Sequence, residues 1–165
     1  MIVLPHRSNL RKGRASIAGI GYFITKCILH KDKILLNDPE IAKIIIETFQ
    51  WMVSHSYIKI GGFIIMPDHY HLIMAVLGTK SLSNTMRSID QYSAKKINTH
   101  LHRSGRFWEE GFFDHSLRNL QDYEVAIKYI HDNPVKTGLC SSPDKYLFSS
   151  ANKQYFNIVD WDWFL

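Results

Sequence analysis

The chain has 165 residues, 45% of them hydrophobic, and carries a formal net charge of +5 at neutral pH with a sequence pI of about 9.2. This length fits one domain, and a composition so rich in apolar side chains excludes global disorder. The positive charge suits a polyanionic partner such as nucleic acid, although many proteins without such a partner are equally basic.

The cysteines and the apolar segments indicate where the protein works. Cys27 and Cys140 form neither a CxxC pair nor a zinc-binding pattern, and isolated thiols are typical of a reducing compartment. The N-terminal residues lack the apolar segment of a signal peptide. The most apolar stretch, residues 41–53, is shorter than the roughly 20 residues that a bilayer requires. We therefore expect a cytoplasmic protein without a membrane partner.

We expect one domain over residues 1–165, with a basic arm over residues 1–20 and a C-terminal tail over residues 156–165. Residues 21–29 are rich in β-branched and aromatic side chains and predict the first strand. Asp38 followed by Pro39 has the residue types of a helix start, and the apolar spacing that follows predicts a helix.

Residues 57–66 predict a second strand, interrupted or bulged at Gly61-Gly62, and residues 69–77 predict a third strand folding back on it. A long polar helix follows, and residues 112–117 predict a short fourth strand. A last helix opens after Asn119 and should stop at Pro134, because proline disfavours helical angles in the residue before it.

The predicted order is thus β-α-β-β-α-β-α, which is the ferredoxin-like arrangement with one additional C-terminal helix. We expect an α+β fold with an antiparallel sheet, whose usual form packs its helices on one face. The fold class does not by itself identify a function.

Two histidines open the third strand, His69 and His71. Side chains two apart in a strand point to the same face, so both imidazoles can bind one metal ion. Two structural histidines are the alternative. A second HxH pair, His100 and His102, falls at the polar end of a helix, where its side chains diverge by about 200°. We expect that pair to be solvent-exposed.

The last helix places Tyr129 and Asn133 four residues apart on one helical face. The phenol of Tyr129 and a carbonyl oxygen from Asn133 could meet at one ion. Alternatively, Tyr129 fills the core and Asn133 forms part of a turn before Pro134. Asn133 then lies just past the helix, which makes its role as a ligand less secure.

Two segments together resemble a known family. MPDHYHLIM is similar to the MPxHxHxL strand of the REP-associated tyrosine transposases, a branch of the single-tyrosine HUH (IS200-like) transposases. FWEEGFFDHSLRNLQDYEVAIKYIHDNPVKTGL resembles their distal block, which ends in YIxxNPVxxGL. The resemblance covers roughly residues 20 to 155, and the two blocks in this order are more specific than either alone.

The resemblance implies a role for each matching residue. His69 and His71 correspond to the metal-binding pair, Tyr129 to the attacking tyrosine, and Asn133 to the polar ligand one turn later. His115 falls on the fourth-strand motif together with Arg118, where active-site support or DNA contact is expected. The implied cofactor is a divalent metal, Mg²⁺ or Mn²⁺.

The implied reaction is metal-dependent cleavage and rejoining of single-stranded DNA beside a hairpin, through a 5′-phosphotyrosine. A phenol is almost entirely protonated at neutral pH, so the metal or a lysine must assist Tyr129; Lys95, Lys96 and Lys128 are candidates. One tyrosine per active site implies two successive rounds or a homodimer. The expected DNA-binding residues are Arg7, Arg11, Lys12, Arg14, Arg87, Lys95, Lys96, Arg103, Arg106, His115 and Arg118.

Aromatic side chains could stack on unpaired bases, and the candidates are Phe107, Trp108, Phe112 and Phe113. Two alternative functions remain open from the sequence. The first is an HUH-type nicking endonuclease or replication initiator, which cuts without rejoining. The second is a domesticated DNA-hairpin-binding protein that has lost the chemistry.

Overall fold

The computed structural model describes residues 20–29, 31 and 33–162. Within these residues the chain follows the predicted order of elements. Their bounds are β1 Gly21–Cys27, α1 Pro39–Ser54, β2 Ile58–Ile65, β3 His69–Val76, α2 Leu82–His100, β4 Phe113–Leu117 and α3 Leu120–Lys136. Nearly all of the predicted basic arm lies outside the described residues, and no described helix has both the length and the hydropathy of a membrane span.

The four strands form one sheet in the order β2-β3-β1-β4, and each neighbouring pair is antiparallel. This is the ferredoxin-like strand order, so the predicted fold class is confirmed. The two central strands are β3 and β1. Their register pairs Thr25 with His71 and Cys27 with His69, which puts the predicted metal pair in the middle of the sheet.

Alternating side chains divide the sheet into two faces with different cover. Ile24 and Leu72 belong to the larger core, to which α1 and α2 contribute. Phe23 and Ile73 belong to a smaller core on the other face, to which α3 contributes Ile130. The usual one-sided arrangement therefore holds for α1 and α2, whereas the additional helix covers the opposite face.

Side-chain caps fix the starts of the helices, as the sequence predicted. The carboxylate of Asp38 accepts hydrogen bonds from two backbone N–H groups of α1, with Pro39 as the first helical residue. The hydroxyl of Ser81 caps α2, and Asn119 caps α3 through the N–H of Asp122. Each cap satisfies donors that have no partner inside the helix.

The predicted end of α3 at Pro134 is wrong, because the helix continues through this residue to Lys136. Proline loses only its own N–H, and its carbonyl still accepts a bond of 2.8 Å from the N–H of Leu139. The N–H of Gly138 bonds to the carbonyl of Val135, and Gly138 has φ +75°. This Schellman motif ends the helix after Pro134, so Asn133 is helical.

The predicted bulge in β2 is also present, as a register shift between Ile60 and Gly62. α3 approaches β2 closely at this bulge. The hydroxyl of Tyr123 donates to the carbonyl of Gly61 at 2.8 Å, and a Cβ added at Gly62 would collide with the side chain of Ile127. Glycine at position 62 thus permits the close approach of α3.

Candidate active site

His69 and His71 project from the start of β3 toward the same face, as the strand alternation predicted. Their Nε2 atoms lie 3.1 Å apart, and their ring centroids lie 4.6 Å apart. His71 is buried, with 4% of its surface exposed, whereas His69 is half-buried. The two nitrogens therefore meet at the margin of the core, where a small ligand can reach them.

Each imidazole is held through its other nitrogen. Nδ1 of His69 lies 2.6 Å from a carboxylate oxygen of Asp68, and Nδ1 of His71 lies 2.9 Å from the hydroxyl of Thr25. An ionised carboxylate can only accept, so Nδ1 of His69 carries the proton and its Nε2 presents a lone pair when the ring is neutral. Partners of this kind commonly orient metal-binding histidines.

Burial, together with the nearby imidazole of His69, lowers the pKa of His71 to about 3. The His71 ring is consequently neutral at physiological pH, which is the form that binds a metal. Its environment therefore favours ligand chemistry over a role as a charged histidine.

Tyr129 projects from α3 onto the face that His71 occupies. Its ring centroid lies 5.5 Å from that of His71 and 6.0 Å from that of Phe23, and the rings of Phe23 and His71 are 5.0 Å apart. The three rings thus form a triangle. Tyr129 is 39% exposed, so its hydroxyl is accessible to a substrate. The structure places the tyrosine and the histidines together, on the side of the sheet opposite α1 and α2.

Asn133 lies one turn after Tyr129 on α3, inside the helix and half-buried. The expected obstacle to its role, a position past the helix end, is therefore absent. Among the described residues, no group of three or more His, Cys, Asp or Glu side chains could hold a metal. The amide of Asn133, one helical turn after Tyr129, is a side chain of another type that offers a carbonyl oxygen as an acceptor.

The lysine nearest to the Tyr129 ring differs from those predicted. Nζ of Lys136 lies 5.9 Å from the Tyr129 ring centroid, whereas Lys128 is exposed and bonds to Asp132 at 2.9 Å. Lys95 and Lys96 are on α2, which packs on the other face of the sheet. The spacing of seven residues between Tyr129 and Lys136, about two helical turns, could have identified this lysine.

Those predicted DNA-binding residues that the structure describes do not form one surface. Arg7, Arg11, Lys12 and Arg14 lie outside the described residues. Arg87, Lys95 and Lys96 belong to α2, on the face opposite Tyr129, and the loop after α2 carries Arg103 and Arg106. His115 on β4 and Arg118 just after it are exposed beside the start of α3. Only this last pair shares a face or edge with the tyrosine among the described members of the set.

Two of the predicted stacking residues are core residues instead. Phe107 is 1% and Trp108 4% exposed, and the indole N–H of Trp108 donates to Ser93 at 3.0 Å. They cover the larger core, so they are unavailable to bases; Phe112 and Phe113 remain half-buried. The second HxH pair is solvent-exposed, as predicted.

Comparison with known proteins gives relatives consistent with this site. A REP-associated tyrosine transposase of Escherichia coli K12 is 30% identical over 111 residues, which are 62% of this chain and 64% of that protein. The matched part therefore spans less than two thirds of that relative. A Haemophilus influenzae protein with a provisional assignment to the same group is 24% identical over 145 residues, 80% of each chain.

A solved structure has the same fold. It is that of a REP-associated tyrosine transposase bound to a REP hairpin, with a TM-score of 0.73 at 22% identity, covering 92% of this chain and 88% of that one. The family model described as "Transposase IS200 like" matches residues 19–133. The chain therefore belongs to the IS200-like transposase family.

Proposed function

We propose that this protein is a metal-dependent DNA transposase that cleaves and rejoins single-stranded DNA beside a hairpin, with Tyr129 as the nucleophile. The observation that carries the proposal is the contact between the Tyr129 ring and His71, whose Nε2 lies 3.1 Å from that of His69. A nucleophile beside two converging imidazole nitrogens is an arrangement that suits metal-assisted phosphoryl transfer.

His69 and His71 fit a divalent ion, and Asn133 would be the third ligand. Bonds of roughly 2.1 Å at a right angle separate two ligand atoms by about 3.0 Å, close to the Nε2 separation. Neutral imidazoles and an amide leave the positive charge of Mg²⁺ or Mn²⁺ uncompensated. Bound there, the ion would polarise the phosphodiester and neutralise its negative charge.

The covalent step follows from the position of Tyr129. Its phenolic oxygen forms a bond to phosphorus, the bond from phosphorus to the 3′ oxygen breaks, and the phenolic proton is lost to solvent while the released 3′ oxygen takes up a proton. The product is a 5′-phosphotyrosine and a free 3′-hydroxyl. Since the phosphotyrosine linkage retains the free energy of the cleaved phosphodiester bond, a 3′-hydroxyl from another strand can attack it. This attack forms a new phosphodiester bond and releases Tyr129. Lys136, near the Tyr129 ring, would stabilise negative charge on the phenolic oxygen.

The DNA partner would be a hairpin with a flanking single strand. The structurally similar transposase is bound to a REP hairpin, and this chain carries an excess of positive charge. His115 and Arg118 are exposed beside α3, so they would contact the strand that enters the site. The exposed cations of α2 would act on DNA that passes over the other face. One tyrosine per site leads us to expect two rounds of chemistry or a homodimer.

The test is covalent capture. The full chain is incubated with single-stranded hairpin DNA and Mn²⁺ or Mg²⁺, and the peptide-bound nucleotide is located by mass spectrometry. We expect the adduct on Tyr129 and none in Tyr129→Phe, while hairpin binding is retained. Tyr92→Phe is a matched control, since Tyr92 is 38% exposed and lies on α2 across the sheet. It should form the adduct as the wild type does.

Four results would overturn the proposal. Cleavage by Tyr129→Phe, or an adduct on another residue, would show that Tyr129 is not the nucleophile. Hairpin binding without cleavage at any divalent metal concentration would identify a binding protein. If the adduct forms on Tyr129 but no labelled 3′-hydroxyl strand is joined, the protein is a nicking endonuclease.

A further inference from the structure

A cavity of about 370 Å³ lies between β4 and α3, on the same face of the sheet as Tyr129. Its apolar lining comes from Phe23, Leu117 and Val125, and its polar lining comes from His115, Gln121 and Asp122. Ligand pockets commonly have volumes of about 300–1,000 Å³. The cavity can therefore take one small planar group, and it excludes a duplex.

The cavity lies beside the proposed catalytic group. Phe23 lines it and also contacts the ring of Tyr129, at a centroid distance of 6.0 Å. Val125, which is 54% exposed, lies one helical turn before Tyr129. A strand whose phosphate reaches the phenol can therefore place a neighbouring nucleotide near the cavity.

The lining has the chemistry of a nucleobase site. A base has two apolar faces and a polar edge that needs hydrogen-bond partners; the exposed Val125 offers the apolar contact, and Phe23 and Leu117, only 5% and 4% exposed, form the floor of the cavity. One carboxylate oxygen of Asp122 already accepts from the N–H of Arg118 at 2.9 Å. Gln121 is exposed, and its amide both donates and accepts, so it can discriminate between base edges. The exposed Arg118 can bind an adjacent phosphate.

We propose that this cavity holds the base of a nucleotide next to the cleaved phosphodiester, and that Gln121 contributes to the choice of base. The inference rests on the proposed function, since it assumes that Tyr129 attacks DNA. It adds a specificity site to the chemistry and assigns a ligand class, a single unpaired nucleobase, to the β4–α3 cavity.

The test pairs a protein change with a DNA change. Val125→Trp fills the cavity from an exposed position, and the DNA series carries an abasic nucleotide at each position flanking the cleavage site. We expect one abasic position to slow wild-type cleavage by roughly tenfold, because stacking of one base contributes about 1–3 kcal/mol. Val125→Trp should slow cleavage of the intact substrate by a similar factor but should not change the cleavage rate of the abasic substrate. Such non-additivity identifies a direct contact.

Gln121→Ala provides the second measurement. Substrates with each of the four bases are compared at the DNA position that the abasic series identifies. Their cleavage rates should differ less for Gln121→Ala than for the wild type. Glu124→Ala, an exposed change on α3 outside the cavity lining, should keep the wild-type spread. Additive effects of Val125→Trp and every abasic position, or an unchanged spread in Gln121→Ala, would overturn the inference. In either case covalent capture by wild-type Tyr129 would leave the proposed function intact.

Discussion

The hydroxyl of Thr25 offers a test of how the proposed metal-binding pair, His69 and His71, is held. It lies 2.9 Å from Nδ1 of His71, and both residues are buried. Thr25→Val keeps the shape of the side chain but leaves Nδ1 without this partner. The His71 ring keeps its backbone hydrogen bond at Ile24, so the change removes one hydrogen bond, about 0.5–1.5 kcal/mol, which corresponds to a roughly 2- to 12-fold weaker metal affinity. Loss of an outer partner of a metal-binding histidine typically costs 10–100-fold.

The assay is the Mn²⁺ concentration that gives half-maximal cleavage, supported by calorimetric titration of metal without DNA. Thr48→Val is the matched control, because its hydroxyl is equally buried but bonds to Ile44 within α1, on the other face. We expect both variants to lose stability and only Thr25→Val to need more metal. Equal metal requirements in the two variants would refute the idea that Thr25 orients His71.

Three further predictions concern charge and backbone. Lys136→Met should slow cleavage by roughly tenfold through loss of a cation near the phenol, whereas Lys128→Met should not, as measured in single-turnover reactions. Burial raises the pKa of Asp90 to about 6, although Asp90 forms an ion pair with Lys26. The protonated carboxyl of Asp90 therefore stabilises the fold at pH 4, and the free energy of unfolding should fall by about 3 kcal/mol as the pH rises from 4 through 6. Urea denaturation of Asp90→Asn across this range should lack that slope. Gly138→Ala should cost about 1–2 kcal/mol because φ is +75°, and thermal unfolding should show a smaller loss for Gly138→Asn.

Short sequence patterns correctly predicted the order of the helices and strands, because caps, turns and bulges depend on only a few neighbouring residues. The caps at Asp38 and Asn119 and the bulge at Gly62 are properties of a few neighbouring residues, and all three are present. The predicted end of α3 was wrong because it relied on Pro134. The hydrogen bonds of Gly138 and Leu139, further along the chain, end the helix instead.

The arrangement of the site was only partly accessible from the sequence. The common direction of His69 and His71 follows from strand alternation alone. The burial of Trp108, by contrast, depends on contacts with α2, such as that to Ser93. The order of the elements does not determine which face of the sheet the last helix covers. From the sequence, only the family resemblance therefore placed Tyr129 beside the histidines; the contact between the rings of Tyr129 and His71 comes from the structure.

Because α3 packs on the bulge in β2, one strand supports the helix that carries Tyr129 and another strand carries the two histidines. The tyrosine helix rests on β2 at Gly61 and Gly62, whereas the paired imidazoles belong to β3. The separation between Tyr129 and the two histidines therefore depends in part on the pairing of β2 with β3, although β2 carries none of the proposed site residues. A side chain introduced at Gly62 would first displace the Cδ1 end of the Ile127 side chain, so α3 would keep its position only if Ile127 took up another rotamer.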